Sequence, residues 1–169
     1  MSVANYVVDM DTTKILMVCL GNICRSPLAE GILRQKLTEA GINGEVDSAG
    51  TGNWHTGEKP HPLSQKVAAI NKIDISYQRA RQFKPEDLDH FDRIYFMDGN
   101  NMADAKRMAG KHWKEHKTAL LLDVLPEAGL REVPDPYFGE FDGYIEVYDL
   151  IASACDAIVK DLRNFAGPV

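Results

Sequence analysis

The chain has 169 residues, of which 44% are hydrophobic and 26% charged, and a net charge of −6. That length suits one domain with a real core, and the composition excludes a disordered or fibrous chain. The acidic balance offers no global basic field for nucleic acid, and no apolar run approaches the roughly 20 residues of a membrane span. Three cysteines, an odd and small number, do not read as a secreted disulfide scaffold. Met1–Asp11 carries two acids and no base, unlike the basic start of a signal peptide. A reducing cytoplasm is the expected location.

Lys14–Cys19 (KILMVC) is a short continuous apolar run, as in a strand buried on both faces. A turn at Gly21-Asn22 follows, and Ser26-Pro27 then reads as an N-cap and first helical turn. The helix it opens places Leu28, Ile32, Leu37 and Ala40 on one stripe and stops at Gly41. Glu45–Ala49 is a second strand. His61–Ile70 reads as a helix with Leu63, Val67 and Ile70 facing inward, and Lys84-Pro85-Glu86 opens a brief helix. Arg93–Met97 is the third strand, Asn100–Ala109 a helix and Ala119–Leu122 the fourth strand. In the C-terminal helix Tyr144, Tyr148, Ile151, Cys155, Ile158, Leu162 and Phe165 alternate at spacings of four and three, a single apolar stripe. Strands alternating with helices predict an α/β fold: a single domain whose central four-stranded parallel sheet is flanked by helices on both faces. Such sheets bind ligands at the carboxyl ends of their strands.

The loop between the first strand and the first helix, Cys19-Leu20-Gly21-Asn22-Ile23-Cys24-Arg25-Ser26-Pro27, carries the chemistry. Successive backbone N–H groups in such a turn form a nest for an anion, and a helix N-terminus adds partial positive charge. The nest favours a thiolate on Cys19 or a phosphate held by Leu20, Gly21, Asn22, Ile23, Cys24 and Ser26. Arg25 supplies a planar fork for two phosphate oxygens, and Ser26 can donate its hydroxyl to the Cys19 sulfur. No Gly-Lys-Ser/Thr closes the turn, so it is not the nucleotide-binding loop of that type.

CLGNICRSP resembles, almost letter for letter, the phosphate loop of the low-molecular-weight protein tyrosine phosphatases. The likeness continues through Ala29-Glu30, Asp47–His55 (DSAGTGNWH), Ala80–Phe83 (ARQF), Met97-Asp98 and Asp135–Gly139 (DPYFG), over about residues 14–165. It implies hydrolysis of phosphotyrosine with Cys19 as nucleophile, Arg25 binding phosphate and Asp135 as general acid and base. On its own Pro134-Asp135-Pro136 is a rigid surface turn, and the match of DPYFG is what carries that assignment. Tyr137 then resembles one wall of the aryl slot and Trp54 the other, ordinary packing being the alternative for each. Asn22 and Ser48 resemble side chains that fix the loop. Gln78 stands where many relatives have a histidine, and Phe138 where many have a second tyrosine.

The same resemblance divides the chain into an N-terminal extension, residues 1–13, and a phosphatase domain, residues 14–169. The implied partner is a phosphotyrosine-bearing protein, with no nucleic acid, no cofactor and no metal, and a monomer as the expected state beside a weak dimer. His112 and His116 read as a solvated basic face and Cys155 as a packed core thiol. Rivals on a similar loop are an arsenate reductase, which resembles a relay needing a further cysteine pair, a phosphoarginine phosphatase and a phosphocarrier. Ile23 occupies the loop position where phosphoarginine specificity goes with threonine.

Overall fold

The computed structural model describes residues 12–165. Four parallel strands, β1 (Thr13–Cys19), β2 (Gly44–Gly50), β3 (Arg93–Phe96) and β4 (Thr118–Leu120), lie in the order β2-β1-β3-β4. The helices are α1 (Arg25–Glu39), α2 (Pro62–Ile70), α3 (Asp87–His90), α4 (Gly99–Ala109) and α5 (Phe141–Phe165). The predicted class and strand count therefore hold. Most of the proposed 1–13 extension lies outside the described residues, and β1 begins at Thr13.

Period-two alternation divides the core. Ile15, Met17 and Cys19 of β1 face the layer of α1, α2 and α5, while Leu16 and Val18 face that of α3 and α4. Every one of these residues is buried, which is why the first strand reads as an unbroken apolar run. The connection from β1 leaves through α1 toward β2, and that from β3 leaves through α4 toward β4. The neighbours β1 and β3 thus part company at their carboxyl ends, the crevice where open α/β sheets bind ligands. Cys19 ends β1, and Asp98 lies two residues past the end of β3, at the cap of α4.

Several expectations need correction. Ser26 is not the cap of α1: Cys24 takes that position with no capping side chain, and the Ser26 hydroxyl is used elsewhere. A helix start that serves an anion needs its first N–H groups free. Ile70 is 63% exposed, because it is the last residue of α2 and points past the packed face of Ser64, Val67 and Ala68. Phe165 is 81% exposed at the end of α5, while Val147, Ala154 and Val159 widen the buried stripe. β4 stops at Leu120, and Leu121–Val124 is a 3-10 turn that still buries Leu121 and Leu122. His112 and His116 are exposed, as expected of a solvated basic face, and stand in separate 3-10 turns.

Candidate active site

The segment from Cys19 to Arg25 must reverse direction in five residues, and two features let it. Asn22 adopts φ +57°, a conformation that asparagine tolerates better than most residues. Gly50, the register partner of Cys19, lets β2 pass close by: a Cβ there would lie 2.7 Å from the Leu20 carbonyl oxygen and 3.0 Å from the Asn22 nitrogen. The loop's carbonyls are tied on its outer side. Thr51 N–H donates to Cys19 O (3.0 Å), Gly52 N–H to Leu20 O (2.8 Å), His61 N–H to Ile23 O (2.7 Å) and Ser64 Oγ to Cys24 O (3.1 Å). With these acceptors engaged, the loop's N–H groups are left for an anion at its centre.

A buried chain of side chains holds that geometry. Asn22 Nδ2 donates to Ser26 Oγ at 2.8 Å and to Ser48 Oγ at 2.9 Å, and its Oδ1 accepts from Arg81 N–H at 3.0 Å. Because Ser26 Oγ accepts from Asn22, its own proton is available for the Cys19 sulfur 3.0 Å away. Ser48 in turn donates to Glu30 at 2.9 Å. Glu30 is buried, 3.3 Å from the guanidinium of Arg34 one turn on, with the Tyr77 hydroxyl also in reach. Burial pushes the Glu30 carboxyl up to about 7, against the opposing pull of Arg34 and Ser48. Gln78 does not join this chain: its Nε2 donates to Pro27 O at 3.0 Å, and its buried Oε1 has no partner among the described residues.

Arg25 opens α1 and is buried, and carboxylates offset its charge. Its Nη1 donates to Asp98 Oδ2 at 2.7 Å and to Val133 O at 3.0 Å, and Nη2 lies 3.7 Å from Asp135 Oδ2. Burial works against its charge, but Cys19, Asp98 and Asp135 together hold it above its ordinary value. Asp98 also caps α4 through Asn101 N–H, so two bonds fix the carboxylate that aims Arg25. The Cys24 thiol lies 3.6 Å from the Tyr144 hydroxyl, and burial pushes it up to about 12.

Above Cys19 opens a cleft of about 190 Å³, with Ile23, Trp54, Asp135 and Tyr137 among its walls. Trp54 rests over Gly52, where a Cβ would strike its ring, and stays 69% exposed. Asp135 Oδ1 accepts Tyr137 N–H at 3.1 Å, a tight turn that places carboxylate and ring on the same rim. Of the residues expected at the site, Cys19, Leu20, Gly21, Ile23, Cys24, Arg25, Trp54, Asp135 and Tyr137 line this cleft. Asn22, Ser26 and Ser48 lie behind it in the buried chain. The sequence reading missed the roles of Asp98 and Glu30. An acid two residues past a strand neighbouring β1, and a glutamate among the apolar residues of a buried helix face, were the available signals.

Thiol, guanidinium and carboxylate around an anion-sized loop, at the switch point of a doubly wound sheet, make a site suited to phosphoryl chemistry. Residues 14–165 match the family described as low molecular weight phosphotyrosine protein phosphatase, and the chain belongs to that family of phosphoric monoester hydrolases. It is 40% identical over 153 residues to the low molecular weight protein-tyrosine-phosphatase YfkJ of Bacillus subtilis, covering 89% of this chain and 96% of that one. The crystal structure of YfkJ superposes with a TM-score of 0.84 over 90% of this chain and 96% of that one. Low molecular weight phosphotyrosine protein phosphatase 2 of Drosophila melanogaster is 40% identical over 159 residues, 89% of this chain and 93% of its own length. Vibrio vulnificus Wzb in complex with benzylphosphonate superposes with a TM-score of 0.78 at 29% identity, covering 88% of this chain and 98% of that one.

Proposed function

We propose that this phosphatase hydrolyses phosphotyrosine in proteins through a cysteinyl-phosphate intermediate. The observation that carries the reading is the placement of the Cys19 sulfur at the floor of the cleft, 3.0 Å from the Ser26 hydroxyl, beside an Arg25 that Asp98 anchors. Cys19 attacks phosphorus, and Arg25 with the loop N–H groups holds the equatorial oxygens. Asp135, on the rim 3.7 Å from Arg25, gives its proton to the departing phenol oxygen. The same carboxylate then takes a proton from the water that attacks the cysteinyl-phosphate. Phosphate leaves, and Ser26 steadies the released thiolate. The apolar and aromatic walls favour an aryl group, in keeping with the benzylphosphonate held by the Vibrio relative.

The rivals fit less well. A relay to arsenate would need cysteines in reach of Cys19, but Cys155 is fully buried in α5, and burial pushes its thiol far up. Ile23 on the cleft wall suits an aryl ring rather than a guanidino group. Initial rates on phosphotyrosine, phosphoserine, phosphoarginine and arsenate with a thiol reductant decide among them. Fast turnover confined to phosphotyrosine is expected, and arsenate-dependent thiol oxidation without it would overturn the proposal.

A further inference from the structure

His61 plays no part in the chemistry above, yet it touches three pieces of the site. Its backbone N–H takes the Ile23 carbonyl of the phosphate loop at 2.7 Å. Its ring stacks on Tyr144 of α5, with centroids 5.3 Å apart and planes 23° apart, and Tyr144 holds the Cys24 thiol. The same ring meets Tyr137 edge-on at 6.0 Å and 72°. The imidazole is itself immobilised, since its Nδ1 accepts Leu63 N–H at 3.1 Å and so caps α2. That bond requires an unprotonated Nδ1, and burial lowers the imidazole's affinity for a proton in the same sense.

Besides His61, two other rings, those of His55 and Phe138, lie against Tyr137. Its flank away from His61 meets His55 at 6.3 Å, and His55 in turn packs against Gly21 of the phosphate loop. Phe138 meets the Tyr137 ring edge-on at 4.8 Å but is itself almost wholly exposed, so it ties Tyr137 to nothing deeper in the fold. Of the three rings against this wall of the cleft, His61 and His55 are the two that connect it to the phosphate loop.

We infer that His61 is a positioning residue for the aryl wall, holding Tyr137 at a set distance from the phosphate loop through its stack on Tyr144. The inference rests on the phosphotyrosine reading, in which Tyr137 contacts the substrate ring. Because the contact is with the wall and not with the anion centre, losing it weakens aryl binding and spares phosphate binding.

Two substitutions separate the ring from the cap. His61→Asn keeps a side-chain acceptor for Leu63 N–H and removes the stack, whereas His61→Phe keeps the stack and removes the acceptor. The measurements are KM and kcat for phosphotyrosine and nitrophenyl phosphate, the inhibition constant of inorganic phosphate, and Tm. An aromatic pair is worth a factor of about two to ten, so His61→Asn should raise KM for both aryl esters by that factor. Its phosphate inhibition constant and Tm should stay near wild type. His61→Phe should keep the wild-type KM and lose Tm instead. Equal rises in KM and in the phosphate constant would overturn the inference, as would an unchanged KM in His61→Asn. Absence of wild-type turnover on aryl phosphates would instead overturn the functional reading beneath it.

Discussion

Glu30 makes the stability of this enzyme depend on pH in a direction opposite to the usual carboxylate. Its carboxyl is buried behind the phosphate loop, with Ser48 and Arg34 as partners, and burial raises it from 4.5 to about 7. A group that holds its proton more tightly when folded stabilises the fold fully only below its unfolded value. That contribution declines as pH climbs from about 4.5 toward 7 and is gone above. With these two values, linkage gives a loss of about 2–3 kcal/mol between pH 5 and pH 8. For a chain of this size that is a shift of about 5–10 °C in Tm. Glu30→Gln keeps an oxygen for the Ser48 hydroxyl but has no proton to lose. Urea unfolding of wild type and Glu30→Gln at pH 5 and pH 8 isolates the term, because every other titrating group cancels in the difference. The variant should gain about 2–3 kcal/mol on the wild type between the two conditions. A wild-type-minus-variant difference that stays constant from pH 5 to pH 8 would refute the assignment of a raised Glu30.

Cys19→Ser should abolish turnover of nitrophenyl phosphate while Cys24→Ser keeps most of it, because Cys24 stays a thiol at neutral pH and points to Tyr144. After brief peroxide, recovery by reductant should be good in the wild type and poor in Cys24→Ser, since Cys24 is the thiol in the same loop that can trap an oxidised Cys19 as a disulfide. Asp98→Asn leaves the buried Arg25 without its closest counter-ion, so phosphate inhibition should weaken and stability should fall by about 3 kcal/mol in urea unfolding. Asp135→Asn should cost roughly 10²–10⁴ in the burst rate on phosphotyrosine and much less on an activated nitrophenyl ester; equal losses on both would exclude it as the proton donor.

The sheet and the phosphate loop were legible because their signals are local. A strand buried on both faces must be apolar along its buried length, and residues 15–19 and 94–97 are, behind the partly buried Lys14 and Arg93 that open the two runs. What the sequence misplaced depends on where an element ends relative to its neighbours. Ile70 and Phe165 keep helical phase with buried residues, yet each ends its helix and stays exposed among the described residues. Ser26 followed by proline is a sound cap signature, but the hydroxyl is taken by Asn22 and Cys19, so the functional loop overrides the local preference. Gln78 shows the limit of reading by motif position. Alignment with relatives directs attention to residue 78 as the partner of the loop-fixing chain, whereas the cation facing Glu30 comes from Arg34 in the same helix. The Glu30–Arg34 spacing of four was visible all along. Such pairs ordinarily lie on solvated faces and matter little, and only the burial of Glu30 under β2 turns this one into part of the site's support.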